Sequence, residues 1–241
     1  MPYERGNNVI PYGQETGMGS IYDSNPHENM MKSQILTGHV LEQRLLDALM
    51  GVDREPFLPE LLRGSAYVDE DLPLGDGRYL METLAFARLL KYAALEAHET
   101  VLDVGSGAGY SAAVISKMVQ KVVALEEDAS LLAWSKPILK DYPNVELVSG
   151  LLVEGASRQA PYDAIIIEGA IEFLPAALGD QLREGGRLLT VEHDAKAHMA
   201  SAGLGKLVEY KKLRAGLYKN VVRDANVALL PSFQKPQTFS L

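Results

Sequence analysis

The stretch Val101-Leu102-Asp103-Val104-Gly105-Ser106-Gly107-Ala108-Gly109-Tyr110-Ser111 joins a short apolar run, ending in a carboxylate, to a glycine-rich turn and the start of a helical pattern. The apolar run reads as a buried strand. The turn lets a backbone approach a ligand that side chains would collide with. Strand, turn and helix occur in the order that a nucleotide-type site at the end of a parallel strand requires. The next strand pattern, Lys121 to Leu125, ends in Glu126 and Glu127. A carboxylate at that tip can accept two hydrogen bonds from vicinal ribose hydroxyls. Dinucleotide enzymes use the same device, but their turn reads G-x-G-x-x-G and faces a pyrophosphate. Here the turn is shorter and Asp103 precedes it. A carboxylate there repels pyrophosphate and suits a ligand with a cationic amino acid end. S-adenosylmethionine is such a ligand. The bland alternative leaves Asp103 capping the turn and the two glutamates solvated.

Outward from this motif the rhythm is strand, helix, strand. Further strands are expected at Val145 to Val148, Asp163 to Ile167 and Arg187 to Val191, with helices between. Pro137 shortens or kinks one helix, and Pro175 starts another. The segment Leu182 to His193 reads as a helix end, a turn at Glu184-Gly185-Gly186, and a strand. Two late β-like segments between Gly205 and Leu230 fit an antiparallel edge. The alternation predicts an α/β, Rossmann-like fold: a mostly parallel sheet with helices on both faces, preceded by a helical extension. Three parts are expected: a mobile arm over 1–26, a helical extension and substrate-side loop over 27–98, and the cofactor-binding domain over 99–241. Within the extension, Gly38 divides two helical stretches, and Tyr67 to Leu80, with two glycines, one proline and four acids, is loop or hairpin chemistry.

The 241 residues suffice for one well-buried domain with extensions. No apolar run is long enough to span a bilayer, and the N-terminus has no signal-peptide pattern. There are no cysteines, which excludes disulfides, Cys-ligated zinc and thiol catalysis and fits a cytoplasmic protein. None of the five histidines has metal-ligand spacing, so no metal is expected. The net charge of −9 argues against nucleic acid and anionic membranes as partners. The basic cluster Lys206, Lys211, Lys212 and Arg214 reads as a solvated face rather than a binding patch. No feature specifies an oligomeric state.

Five segments carry a more specific likeness: RLLDALMGVDREPFLP, AYVDEDLPLGDGRYLMET, VLDVGSGAGYSAAV, VVALEED and PYDAIII. They resemble the protein-L-isoaspartate O-methyltransferase family, in a divergent bacterial branch, over roughly Glu28 to Gly186. The resemblance implies S-adenosylmethionine as cofactor and methyl transfer to a carboxylate of damaged aspartyl residues, in a protein or peptide carrying isoaspartate. Such a carboxylate is ionised at neutral pH, so the reaction needs alignment and water exclusion more than a general base. Cofactor-binding candidates are Asp103, Gly105, Ser106, Gly107, Gly109, Glu126, Glu127, Leu151 and Glu168. Catalytic-site candidates are Arg78, Tyr79, Met81 and Glu82.

The chain departs from the family in two places. Where the family loop reads G-x-G-x-T-I-S, this chain has Gly75-Asp76-Gly77-Arg78-Tyr79-Leu80-Met81, so Met81 replaces the serine and cannot donate a hydrogen bond. Where the family has Gly-Asp-Gly after the third strand, this chain has Gly150-Leu151-Leu152; Leu151 can pack on adenine, and Glu168 can supply a carboxylate instead. Arg78 either pairs with a substrate carboxylate or with Asp69, Glu70 or Asp71 in its own loop. Tyr79 either packs or acts on substrate. The alternatives are a same-fold methyltransferase for another acceptor, such as a small molecule, and a catalytically impaired cofactor-binding protein.

Overall fold

The computed structural model describes residues 25–193 and 205–235. The arm expected over 1–26 lies almost wholly outside the described residues. A seven-stranded sheet forms the centre. Its strands are β3 (Thr100–Val104), β4 (Lys121–Glu126), β5 (Val145–Ser149), β6 (Tyr162–Ile171), β7 (Leu182–Glu192), β8 (Gly205–Leu213) and β9 (Gly216–Ala225). The order is β5-β4-β3-β6-β7-β8-β9. The first five are parallel, and β8 and β9 run antiparallel at one edge. Strand order reverses between β3 and β6, and α/β sheets bind ligands at the carboxyl ends of strands at such a point.

The parallel strands are apolar on both sides because both faces are covered. Alternate residues divide between two cores. Val101, Val122, Ala124, Ile166 and Leu189 face one layer. Leu102, Val123, Leu125, Ile165 and Leu188 face the other. The first layer receives α1 (Pro26–Met30), α2 (Gln43–Met50), α3 (Thr83–Ala93) and α4 (Tyr110–Ser116). The second receives Leu178 of α6 (Ala176–Asp180), together with Leu152 and Phe233. The intervening helix α5 (Ala129–Ile138) contains Pro137 and is capped by the Asp128 carboxylate, which accepts from the Ser130 and Leu131 N–H groups.

Three expected boundaries shift. The Glu184-Gly185-Gly186 turn lies inside β7 as an irregularity: β6 pairs Tyr162 with Leu182, then Ala164 with Arg187. Gly186 allows it, since a Cβ there would stand 3.0–3.1 Å from the carbonyl oxygens of Arg183, Asp163 and Tyr162. Strand β6 continues past Ile167 to Ile171, because residues 228–230 hydrogen-bond to Ala170 on both its N–H and C=O. Pro175 is the N-cap of α6 rather than a residue of its first turn.

The acid-rich segment before α3 is a separate two-stranded sheet of β1 (Leu72–Gly75) and β2 (Arg78–Leu80). Its tip, Asp76-Gly77, has φ of +48° and +74°, the two positive values of the tight turn that Asp-Gly favours. Alternation along β2 sends Arg78 and Leu80 inward and Tyr79 outward. This orientation decides the chemistry of the site.

Lys206, Lys212 and Arg214 pair with Asp224, Asp180 and Glu184, so the basic cluster is largely neutralised within its own face. No described helix is long and apolar enough to cross a membrane. The end of α3 is tied to the sheet by Arg187. Its guanidinium reaches the Ala93 and Ala94 carbonyls at 2.5 and 3.1 Å and both oxygens of buried Glu99 at 2.5 and 2.8 Å. Removing one partner of a buried pair leaves the other charge uncompensated. Arg187→Ala is expected to lower the unfolding free energy by about 3–5 kcal/mol. Urea titration checks this, with the midpoint falling and the m-value unchanged.

Candidate active site

The site forms where β3, β4 and β6 end. Glycines 105, 107 and 109 follow β3 with φ of +78°, +57° and +100°, a run open to glycine and strained for other residues. The Gly105 and Ser106 N–H groups donate to the Leu125 carbonyl, which fixes the turn against the end of β4. Ser106 is buried, and its hydroxyl has no partner among the described residues.

Glu126, at the tip of β4, is fully buried. Its Oε1 accepts from Arg78 Nη1 at 2.6 Å and from the Glu127 and Asp128 N–H groups at 2.9 and 3.0 Å. Its Oε2 accepts from Arg78 Nη2 at 2.9 Å and the Gly107 N–H at 2.8 Å. Arg78 Nη2 also donates to the Gly105 carbonyl at 3.0 Å. Arg78 therefore pairs neither with a residue of its own loop nor outward toward an acceptor. The inward face of β2 carries it 48 residues along the chain to Glu126. A fork-to-fork pair of this kind is among the strongest polar contacts a protein makes.

The neighbouring acids are in the opposite condition. Asp103 is fully buried; its Oδ2 accepts from Ser111 Oγ at 2.7 Å, and its Oδ1 has no partner among the described residues. Burial pushes its pKa up to about 7; the Ser111 hydrogen bond and Arg78 oppose the rise, and the charge of Glu126 adds to it. Glu168 on β6 keeps part of its surface exposed, but its Oε1 is enclosed and unpartnered among the described residues. Desolvation first, then the charge of Asp103, raises its pKa well above the carboxylate range, while Arg54 opposes the shift.

Arg54 was not singled out in the sequence. It is fully buried, lies 4.8 Å above the Tyr110 ring, and donates to the Ala66 and Met81 carbonyls at 2.7 and 3.0 Å. Met81 is buried, and its backbone anchors this arginine. Tyr79 is exposed. The Glu82 N–H donates to Asp71 at 2.7 Å, and its half-buried carboxyl is pushed up to about 7 by desolvation and by Asp69 and Asp71, with Arg88 opposing.

Glu127 is half-buried and engaged: it accepts from the Leu152 N–H at 3.2 Å and from the Ser232 hydroxyl. Leu151, expected to pack on adenine, is exposed; buried Leu152 takes the inward position. A Cβ placed on Gly105 would stand 3.2 Å from Arg78 Nη2 and 3.5 Å from both Leu152 and Leu230. Leu152, Leu230, Ser232 and Arg54 thus belong to the site, and no local pattern marks them. The pocket beside the hairpin is about 10 Å³, lined by Asp71, Tyr79, Met81, Glu168, Val227 and Leu230. That admits about one water, against several hundred Å³ for a nucleoside-sized ligand. The carboxylates suit a ribose-bearing, cationic group, and Arg78, Leu152 and Leu230 stand against Gly105 of the turn.

Asp103 gives the site a pH signature. Between the ordinary carboxylate range and about pH 7 the native state keeps a proton that the unfolded chain releases, so stability falls as pH rises through that window. The slope has a ceiling of about 1.4 kcal/mol per pH unit for one carboxyl. Asp103→Asn, which still offers an oxygen to Ser111, is expected to flatten the dependence. Urea midpoints measured from about pH 5 to about pH 7.5 check it, and superimposable wild-type and variant profiles would place the proton elsewhere.

Residues 24–216 match the family model described as protein-L-isoaspartate(D-aspartate) O-methyltransferase. Protein-L-isoaspartate O-methyltransferase 2 of Shewanella sediminis (strain HAW-EB3) is 34% identical over 164 residues, 67% of this chain and 67% of its own length. Protein-L-isoaspartate O-methyltransferase of Vibrio atlanticus (strain LGP32) is 34% identical over 168 residues, 69% of this chain and 81% of its own. Among solved structures, a Plasmodium falciparum protein described as a putative protein-L-isoaspartate O-methyltransferase, in complex with S-adenosyl-L-homocysteine, superposes with a TM-score of 0.71 at 20% identity, covering 87% of this chain and all of that one. Another chain, titled protein-L-isoaspartate O-methyltransferase, gives 0.70 at 22% identity, with 85% of this chain matching 65% of that one. At such identity these likenesses bear on the fold, which is the Rossmann-like architecture of methyltransferases. The match of the family model across both hairpin and glycine turn decides the assignment: the chain belongs to the protein-L-isoaspartate(D-aspartate) O-methyltransferase family.

Proposed function

We propose that the protein transfers a methyl group from S-adenosylmethionine to the free carboxylate of L-isoaspartyl residues in damaged proteins or peptides. The observation that carries this reading is the family match over residues 24–216, a span that includes the glycine turn, the tip of β4 and the hairpin. The cofactor, when bound, supplies an electrophilic methyl on a sulfonium. In this reading Glu126 takes the ribose hydroxyls, Asp103 faces the amino acid end, and glycines 105, 107 and 109 give the backbone its close approach. Glu127, Ser106 and Glu168 border the same space, with Leu152 in the inward place expected for Leu151.

The acceptor side is acidic, with Asp71 and Glu168 lining it and Glu82 beside it. An anionic acceptor is tolerated there to the extent that these carboxyls hold protons. Glu82 and Glu168, both raised, do so more than free carboxyls would. Tyr79, outward on β2, is the hydroxyl best placed to meet an incoming peptide, and Met81 contributes apolar wall and backbone rather than a donor. The cysteine-free chain with net charge −9 accords with a cytoplasmic enzyme acting on peptide rather than nucleic acid.

Methyl transfer from labelled S-adenosylmethionine to an isoaspartyl peptide, beside its normal aspartyl twin, tests the reading. The expected outcome is a base-labile methyl ester on the isoaspartyl peptide alone. Equal labelling of both, or of neither, would sink it. Turnover is further expected to decline as pH rises through about 7, because Glu82 gains charge facing the acceptor. Glu82→Gln is expected to remove that limb of the kcat/KM profile.

A further inference from the structure

We propose that Arg78 is a built-in competitor for the cofactor, and that hairpin β1–β2 is a clasp that must lift before the nucleoside site can fill. The proposal rests on the cofactor reading above and adds its regulation.

The first observation is saturation. A carboxylate offers about four lone-pair sites. Glu126 already accepts from five N–H groups: two of Arg78 and those of Gly107, Glu127 and Asp128. Vicinal ribose hydroxyls would present two side-by-side donors to this carboxylate, and the guanidinium fork presents two already, with a positive charge added. Three of the five donors are backbone groups fixed by the turn and the start of α5. Only Arg78 can be exchanged.

The second observation is space. Leu230 and Leu152 close on Gly105 beside the guanidinium, and Leu230 Cγ would stand 2.6 Å from a Cβ on Gly169. Arg78 itself is 5% exposed, so it fills the cleft as well as pairing across it.

The third observation is how the hairpin is held. It is not a strand of the central sheet. Asp71, next to β1, clips it to the C-terminal segment: one carboxylate oxygen accepts from the Glu82 N–H and the other from the Ala228 N–H, each at 2.7 Å. Pro231 Cγ lies 3.3 Å from a Cβ position on Gly77 at the tip. The residues 228–230 are fastened to β6 through Ala170, so they form the fixed side of the clasp and the hairpin the moving side. Releasing the hairpin breaks the Arg78–Glu126 ion pair and the Arg78 bond to the Gly105 carbonyl and uncovers Leu72 and Leu80 from the core, while leaving the seven-stranded sheet intact.

The thermodynamic consequence is an apparent cofactor affinity equal to the intrinsic one reduced by the fraction of molecules with the clasp open. Calorimetric titration of S-adenosylhomocysteine into the wild type, Arg78→Gln and Arg78→Lys tests this, together with hydrogen exchange of residues 72–80 without ligand. Arg78→Lys keeps the charge and loses the fork, and it guards against misfolding of the neutral variant. The expected result is binding at least about tenfold tighter in Arg78→Gln, an intermediate gain in Arg78→Lys, and faster hairpin exchange in both. Equal or weaker binding in the variants than in wild type would overturn the competitor role and leave the cofactor reading standing. Absence of binding in every form, with hairpin exchange accelerated in the variants, would overturn both, because the lifted clasp would then uncover no cofactor site.

Discussion

The buried charge of Glu126 organises this end of the molecule. A carboxylate withdrawn from water is tolerated only when its oxygens are fully engaged, and here the partners come from three separate places: the glycine turn, the link between β4 and α5, and the β1–β2 hairpin. The glycine turn has its shape partly because the Gly107 N–H must point at Oε2. The hairpin sits where it does because β2 alternation delivers Arg78 inward. A surface ion pair would contribute little to such an arrangement. In the interior, where either partner alone is costly, the pair fixes geometry whatever its net contribution to stability.

Three acids lie within one small region in unlike surroundings. Glu126 has a guanidinium and three N–H groups. Asp103 has a single hydroxyl donor and the like charge of Glu126 nearby, and Glu168 has Asp103 for a neighbour. Burial raises the pKa of Asp103 and Glu168, and neighbouring carboxyls in such different environments are common at reactive sites. Here the rise also keeps the interior from holding three unscreened negative charges with Arg78 and Arg54 as the buried cations among them.

The departures from the family pattern have structural counterparts. At position 81 the methionine side chain is buried and the carbonyl accepts from Arg54, so this place ties the hairpin end to the core. After β5, Leu152, standing where the family has its second glycine, turns inward against Gly105, and Leu151, standing where the family has Asp, turns to solvent. Both changes make the cleft more apolar and more filled, and Leu230 continues the trend from the far end of the chain.

The sequence by itself determined the strand–turn–helix order, the carboxylates at the ends of β3 and β4, the antiparallel edge and the family. Each follows from local rules: a period of two in strands, glycine where φ is positive, Asp-Gly at a hairpin tip. One boundary moved because a distant segment intervened, when residues 228–230 extended β6. What the tertiary structure alone decided was partnership. Arg78 was legible as a site residue, but not its attachment to Glu126, because sequence nearness offered Asp69, Glu70 and Asp71 and the pleat of β2 pointed the side chain away from them. Arg54, Leu152, Leu230 and Ser232 carry no motif; they matter through what packing brings within a few ångströms. Protonation states followed the same division, since a carboxyl's identity is written in the chain and its pKa is set by burial and neighbours that only the folded molecule assembles.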